Sequence, residues 1–317
     1  MLKKTAIVFP GQGSQMVGMG FDLAQNFLVA KHLFAEIDEQ LKFKLSALMF
    51  EGPADELTKT QYTQPALMAV SMAIVQILLH ETKLPFSAFA CLTAGHSLGE
   101  YSALCASGVF DVKTTSSLLQ TRGLAMAKCG EKTQGAMAAL LGGELEQIQT
   151  LAKKASNFGV CQIANDNSVG QVVISGEKKA IDYAILTAKE FGIKRAILLP
   201  VSGAFHSELM LDAKQKMGEA LQNVACHQSQ VPVVANVTAL PIDDVSQVPQ
   251  LLTSQITGSV LWRQTNLYFA NQQIERIIEI GSGKVLCGLI SKTCPQIEAL
   301  SLQNSQDIAS FLTTLEK

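Results

Sequence analysis

The order Phe-Ala-Cys-Leu-Thr-Ala-Gly-His-Ser-Leu-Gly-Glu-Tyr-Ser-Ala-Leu-Cys-Ala, residues 89–106, carries the strongest structural signal in this chain. Its apolar beginning, 89–94, predicts a buried strand, and the segment after Gly99 predicts a helix that runs through Ala106. Between them lies Gly-x-Ser-x-Gly, the pattern of a sharp strand-to-helix turn that lifts a serine hydroxyl above a sheet. The motif with its flanking elements predicts Ser97 as a nucleophile on an α/β scaffold.

Segments on either side repeat this α/β order. A β-branched run over 5–9 predicts a first strand, which a glycine-rich loop and a helical pattern over 16–27 follow. Asp111 is the expected N-cap of another helix. Further strands are predicted at 231–236 and 277–280, with helices around 249–253 and from 305 onward. We therefore predict a large α/β domain with a mainly parallel sheet, similar to that of α/β-hydrolases.

The pattern changes between about 135 and 199. Strands are predicted at 136–141, 160–164, 171–175 and 194–199, with helices at 144–157 and 178–191. The resulting order, βαββαβ, is that of a ferredoxin-like unit. We expect residues 133–199 to form a small ferredoxin-like domain inserted into a large domain made of 1–132 and 200–317.

Composition limits the classes of function. The 317 residues are 48% hydrophobic and 16% charged, which is typical of a compact protein with a large core. The net charge of -2 gives no long-range field for gripping nucleic acid or an anionic membrane. The seven cysteines stand singly, with no Cys-x-x-Cys pair. We expect reduced thiols in a cytoplasmic protein and no metal site.

No segment is expected to enter a membrane. The first apolar run is about five residues long and breaks at Pro10, too short for a signal peptide. The longest apolar stretch, 65–79, is shorter than the ~18 residues that a bilayer span requires, and it contains Ser71 and Gln76.

A serine hydroxyl needs a nearby base, and the chain has five histidines, at 32, 80, 96, 206 and 227. His206 is the best candidate because it follows the strand that returns the chain from the small domain. His96 adjoins Ser97 and is expected to point away from it. The other three are expected to be structural or surface residues.

Arg122 is the second informative residue, since it lies on the core-facing side of the predicted helix after Asp111. A buried guanidinium needs an anion, and its planar fork suits a carboxylate. The partner is either an internal Asp or Glu or, beside an acyl serine, a carboxylate of the substrate.

The strand-to-helix turn at 95–99 also predicts that the backbone amide of Leu98 points toward an oxyanion formed on the acyl carbonyl at Ser97.

These residues belong to a set of motifs that resembles the malonyl-CoA:acyl carrier protein transacylases of bacterial fatty-acid synthesis over essentially the whole chain. The motifs are Phe-Pro-Gly-Gln-Gly-Ser-Gln at 9–15, Thr-Gln-Pro-Ala at 63–66, Gly-His-Ser-Leu-Gly-Glu-Tyr at 95–101, Gln-Thr-Arg-Gly at 120–123, Gly-Ala-Phe-His-Ser at 203–207 and Asn-Val-Thr-Ala at 236–239. Their coincidence is far more specific than the serine motif alone.

The resemblance implies roles for individual residues. Ser97 would be the nucleophile, His206 the base and Arg122 the clamp for the malonyl carboxylate. The backbone amides of Gln12 and Leu98 would form the oxyanion hole.

Four further assignments follow from the same resemblance. The backbone carbonyl of Gln255 would orient the histidine, so no acidic third member is expected. Phe205 resembles the residue of malonyl-selective members, and Asn165 and Asn167 match a segment that lines the cleft. Ser282 departs from the family, which usually has Pro there.

The implied reaction is ping-pong transfer of malonyl from malonyl-CoA to the phosphopantetheine thiol of acyl carrier protein, without a cofactor. A serine thioesterase or other hydrolase would use the same elbow, so it remains an alternative. An acyltransferase acting in trans on a polyketide pathway and a non-catalytic docking protein are two others.

Overall fold

The computed structural model describes residues 3–315, which form two sheets and a surrounding layer of helices. The nine strands are β1 Thr5–Phe9, β2 Leu92–Gly95, β3 Gly135–Leu141, β4 Cys161–Ser168, β5 Gln171–Glu177, β6 Arg195–Leu198, β7 Val233–Val234, β8 Arg276–Ile280 and β9 Glu298–Leu302.

Fourteen α-helices are present in the same residues. They are α1 Phe21–Asn26, α2 Leu28–Leu41, α3 Leu45–Glu51, α4 Ala54–Leu57, α5 Thr60–Thr82, α6 Gly99–Ala106, α7 Val112–Lys132, α8 Leu145–Ala155, α9 Lys178–Thr187, α10 Leu211–Leu221, α11 Val248–Gln255, α12 Trp262–Asn271, α13 Val285–Thr293 and α14 Ser305–Leu315.

The larger sheet is parallel, in the order β7-β2-β1-β8-β9. β1 lies at its centre, and all five of its residues are buried, as its β-branched run requires. Ala6 pairs with Leu92 and Phe9 with Gly95, so β1 and β2 end level with each other. Because loops at the carboxyl ends of neighbouring parallel strands meet at one edge, the loop after β1 lies beside the serine turn.

The smaller sheet is antiparallel, in the order β4-β5-β3-β6. Two helices, α8 and α9, cover one face and share a separate core that includes Ile148, Ile174 and Ile181. This arrangement confirms the predicted βαββαβ order. The sheet contacts the rest of the molecule through β4, where the N–H of Asp166 donates to the carbonyl of Val260 at 2.9 Å.

Several boundaries differ from those predicted. The helix expected over 16–27 begins only at Phe21, because Gly18 and Gly20 adopt positive φ angles of 93° and 78° in the turns before it. The strand expected over 231–236 is the two-residue β7, and the one expected from 89 begins at Leu92, after a 3-10 turn. The sequence patterns did not reveal β9.

Helix α5 corrects one expectation about length. It runs for 23 residues, which by length and composition is enough to cross a membrane. However, 83% of its most apolar window is buried inside the protein, where it packs against α7 and α2. The long apolar run therefore builds the core.

Gly95 must lack a side chain for the β2–α6 turn to close. A Cβ at that position would lie 1.9 Å from the carbonyl oxygen of Gly99, which is backbone and cannot rotate away. We predict that Gly95→Ala prevents folding or lowers the free energy of unfolding by more than ~4 kcal/mol in urea denaturation.

Gly288→Ala on α13 is the matched control, because nothing lies within 4 Å of the added Cβ. The free energy of unfolding of this variant should be higher than that of wild type by ~0.5 to 1 kcal/mol. Equal effects of the two substitutions would contradict the steric explanation.

Candidate active site

Ser97 lies in the turn between β2 and α6 with a left-handed φ of 54°. Such a backbone is strained for a residue with a side chain and persists only where its surroundings fix it. Asn236 does this with both ends of its amide. Its Oδ1 accepts from the N–H of Ser97 at 2.7 Å, and its Nδ2 donates to the carbonyl of Gly95 at 2.7 Å. The turn is thereby tied to the segment that follows β7.

His206 lies against the serine hydroxyl. Its Nε2 is 2.8 Å from Ser97 Oγ, and its Nδ1 is 2.9 Å from the carbonyl oxygen of Gln255 and 3.2 Å from that of Gly258. Carbonyl oxygens only accept hydrogen bonds, so Nδ1 carries the proton and Nε2 is free to accept one. The two carbonyls occupy the place that an acidic residue fills in a triad.

The imidazole of His206 is neutral at physiological pH. Burial, followed by the nearby Arg122 guanidinium, lowers the pKa of His206 to about 3. A neutral ring with a free Nε2 is the form that can take a proton from a hydroxyl.

Arg122, on α7, has its guanidinium beside the same hydroxyl and is 1% exposed. One of its terminal nitrogens, Nη1, donates to Gln64 Oε1 at 2.8 Å. The other, Nη2, donates to Gln255 Oε1 at 2.8 Å and to Ser97 Oγ at 3.1 Å. All of these acceptors are uncharged, and none of the ion pairs among residues 3–315 includes Arg122. This arrangement disfavours the internal ion pair and leaves the guanidinium available to an anion.

A cleft of about 370 Å³ opens over these groups. It brings together most of the residues predicted from the sequence, and its wall includes Gln12, Ser97, Leu98, Arg122, Asn165, Phe205 and His206. No backbone carbonyl of the described residues accepts from the amide of Gln12 or of Leu98. Both amides are therefore free to donate to an oxygen placed in the cleft.

Asn167 lies behind this wall. Its Oδ1 accepts from His96 Nε2 at 2.8 Å, and the His96 ring packs against Trp262 with centroids 5.5 Å apart. His96 thus turns away from the Ser97 hydroxyl, as expected from their adjacency. The contact joins the small sheet to the serine turn.

Sequence reasoning missed the side chains that hold the site. Gln64 and Asn236 belong to the quoted motifs, yet no role was assigned to either. Gln255 was assigned only a backbone carbonyl, whereas its side chain also contacts Arg122 and Ser97. Glu100 was passed over, although a charged residue among apolar ones after Gly99 is an available signal. It is 1% exposed, and burial raises its pKa to about 7.

Comparison with known proteins gives consistent matches along the chain. The family model described as "Acyl transferase domain" matches residues 6–307. The malonyl CoA-acyl carrier protein transacylase of Bacillus subtilis (strain 168) is 39% identical over 317 residues, covering 100% of this chain and 98% of the relative. The protein of that name from Escherichia coli (strain K12) is 38% identical over 308 residues, with coverage of 97% and 98%.

Solved structures agree. The acyl-carrier-protein-S-malonyltransferase of Bartonella henselae superposes with a TM-score of 0.94 at 44% identity, covering 99% of this chain and 100% of that one. A malonyl-transacylase in complex with a type II polyketide synthase acyl carrier protein gives 0.93 at 37% identity, with coverage of 98% and 99%.

The low pKa of His206 predicts a pH dependence of stability. An unfolded histidine has a pKa of ~6.5, so below that pH the unfolded chain binds a proton that the folded protein does not. Stability from this residue is therefore present above ~6.5 and is lost as the pH falls toward 3. Between pH 7 and 5 the loss should be about 2 kcal/mol.

Urea unfolding of wild type and His206→Gln at both pH values measures the contribution of His206 to the free energy of unfolding. Since the buried groups Glu100 and His96 are present in both proteins, the difference between them isolates His206. A His206→Gln protein that loses as much stability as wild type between pH 7 and 5 would contradict the neutral, buried imidazole.

Proposed function

This chain belongs to the acyl transferase family as one of its malonyl-CoA:acyl carrier protein transacylases, and we propose that it moves malonyl from malonyl-CoA to a carrier-bound phosphopantetheine thiol through an ester on Ser97. The product, malonyl-acyl carrier protein, supplies fatty acid biosynthesis. One observation supports the proposal above all others. A buried guanidinium that has no carboxylate partner among residues 3–315 lies 3.1 Å from a serine hydroxyl that is hydrogen-bonded to a neutral histidine.

In the first half-reaction His206 Nε2 takes the proton of Ser97 as Oγ attacks the thioester carbonyl carbon. The carbonyl oxygen becomes an oxyanion, which accepts from the amides of Gln12 and Leu98. Arg122 Nη2 lies beside Oγ and stabilises negative charge that develops there. When the intermediate collapses, the carbon–sulfur bond breaks and the imidazolium returns its proton to the CoA thiolate.

The second half-reaction is the reverse with a new thiol. His206 takes the proton of the pantetheine thiol, sulfur attacks the malonyl ester, and Ser97 leaves with that proton. The carbonyls of Gln255 and Gly258 keep the ring oriented in both directions. Nucleophile, base and oxyanion donors all come from the chain, so the proposed chemistry needs no cofactor.

Selection of malonyl follows from Arg122. The malonyl carboxylate gives the buried guanidinium an anion, whereas an acetyl ester leaves it without one, at a cost of ~2 to 4 kcal/mol. Phe205 closes the cavity wall beside the base, which favours malonyl over a branched acyl group. Asn165 and Asn167 belong to β4, so the proposed small domain, 133–199, would form one side of the cleft and the large domain, 1–132 and 200–317, the other.

Two further properties belong to the proposal. The cysteines of residues 3–315 are all free thiols, which fits a reducing, cytoplasmic location. A carrier protein of a polyketide pathway is a second possible acceptor, favoured by the likeness to the transacylase bound to such a carrier. The same pantetheine thiol would serve in either case.

The acyl-serine mechanism predicts a covalent adduct. Brief exposure to malonyl-CoA should add one malonyl mass to wild type and none to Ser97→Ala, because the nucleophile is lost. Ser102→Ala is the matched control, since Ser102 is also a buried serine, on α6, and should acylate normally. Arg122→Ala should lower malonyl acylation at least tenfold relative to acetyl. Intact-protein mass spectrometry measures all four.

Two outcomes would contradict the proposal. A malonyl adduct that persists in Ser97→Ala would move the nucleophile elsewhere. Release of free malonate without carrier protein, at a rate comparable to transfer, would instead favour the hydrolase.

A further inference from the structure

Arg122 is held on one side by an amide whose orientation must be fixed. Gln255 Oε1 accepts from Arg122 Nη2 at 2.8 Å. The two ends of a glutamine amide have nearly the same shape, so packing cannot distinguish them and hydrogen bonds decide. A flipped amide would point its N–H groups at the guanidinium, donor against donor. The groups that accept from Gln255 Nε2 therefore fix the orientation of the amide, and the amide oxygen in turn helps to position Arg122.

Three oxygens accept from Gln255 Nε2, and that of Glu100 is the nearest. Glu100 Oε2 accepts from Gln255 Nε2 at 2.6 Å, shorter than the 2.9 Å from the same nitrogen to the carbonyl of Ser97. Asn236 Oδ1, at 3.4 Å, is more distant still. The same Glu100 oxygen also accepts from the backbone N–H of Asn236 at 3.2 Å. One carboxyl oxygen thus joins the amide that orients Arg122 to the residue that holds the serine turn.

The acid has no direct contact with the chemistry. Glu100 is 1% exposed and is absent from the cleft wall. Its other oxygen, Oε1, has no hydrogen-bond partner among the described residues. A buried carboxyl that uses only one oxygen can carry a proton on the other without disturbing its contacts, which fits its raised pKa of about 7.

The second glutamine on the guanidinium lacks such support. Gln64 Oε1 accepts from Arg122 Nη1, but within the described part of the chain Gln64 Nε2 donates only to the sulfur of Met126, at 3.7 Å. Thioether sulfur is a weak acceptor. Nη2, the nitrogen of Arg122 that also donates to Ser97 Oγ, is thus the one whose glutamine partner, Gln255, is itself held by a strong hydrogen bond.

We propose that Glu100 is a positioning residue for selectivity: it fixes the amide of Gln255, which in turn holds Arg122 where a malonyl carboxylate binds. The inference rests on the proposed malonyl transfer. It requires an acceptor at the position of Oε2 and does not require a negative charge. Glu100→Gln supplies that acceptor, whereas Glu100→Met fills similar space without it.

The test is the ratio of kcat/KM for malonyl-CoA to that for acetyl-CoA, with acyl carrier protein as acceptor. Glu100→Met should lower this ratio about tenfold, because only malonyl uses Arg122. Glu100→Gln should keep it within about twofold. Gln255→Leu removes the intermediate amide but leaves the backbone carbonyl on His206, and should lower the ratio as Glu100→Met does. If Glu100 had only a structural role, its replacement would lower kcat/KM for malonyl-CoA and for acetyl-CoA by the same factor.

Glu279→Met is the matched control. Glu279 is also a buried acid, one of its oxygens has no hydrogen-bond partner in the part of the chain that the structure describes, and burial raises its pKa. Its other oxygen accepts from the N–H of Cys287 on α13. Its replacement should alter stability and leave the ratio unchanged.

An unchanged ratio in Glu100→Met would overturn the inference. If that variant fails to fold, a wild-type ratio in Gln255→Leu would overturn it as well. A wild-type enzyme without malonyl transfer would overturn the proposed function and this inference together, whereas a selective wild type with an unaltered Glu100→Met ratio would overturn the inference alone.

Discussion

The turn after β2 closes only because Gly95 carries no side chain where the backbone of Gly99 approaches it, and the candidate site depends on that close backbone approach. It holds Ser97 at a positive φ, with its hydroxyl above the carboxyl edge of the parallel sheet. Since β1 and β2 end level, the same edge receives the loop that contains Gln12. The proposed nucleophile and two free amides are thereby placed together by strand register and one close backbone approach.

Around this turn the described residues place one guanidinium that forms no ion pair, with the nearest carboxyl, that of Glu100, linked to it only through Gln255. Arg122 donates to uncharged oxygens, and burial, followed by the Arg122 charge, lowers the pKa of His206 and keeps its ring neutral. In the proposed mechanism the guanidinium has two effects: it adds to burial in keeping the His206 ring able to accept a proton, and it offers a binding site for a carboxylate. The raised pKa of Glu100 fits this arrangement, because a carboxyl that is often protonated competes little with a substrate anion for the guanidinium.

Sequence patterns predicted what local order and periodicity determine. Asp111 caps α7 as expected, its Oδ1 accepting from the N–H of Thr114 at 2.7 Å, and the βαββαβ order is found between Gly135 and Leu198. Ser97, His206 and Arg122 were identified by motif and by helical face, and the fold brings them together. The Glu100–Gln255 contact joins residues 155 positions apart, so no local pattern could reveal it. The strand predicted over 231–236 is longer than the observed β7, Val233–Val234, because the apolar residues beside β7 continue the strand-like sequence pattern where the backbone has already left the sheet.

The most direct test of the central claim, that Arg122 receives the acyl group's carboxylate, is a crystal structure of the enzyme trapped with malonyl on Ser97. We predict that both carboxylate oxygens accept from the Arg122 guanidinium, which releases its contact with Ser97 Oγ, while the ester carbonyl oxygen accepts from the amides of Gln12 and Leu98. A malonyl carboxylate directed into solvent, with Arg122 still bound only to Gln64 and Gln255, would contradict the account.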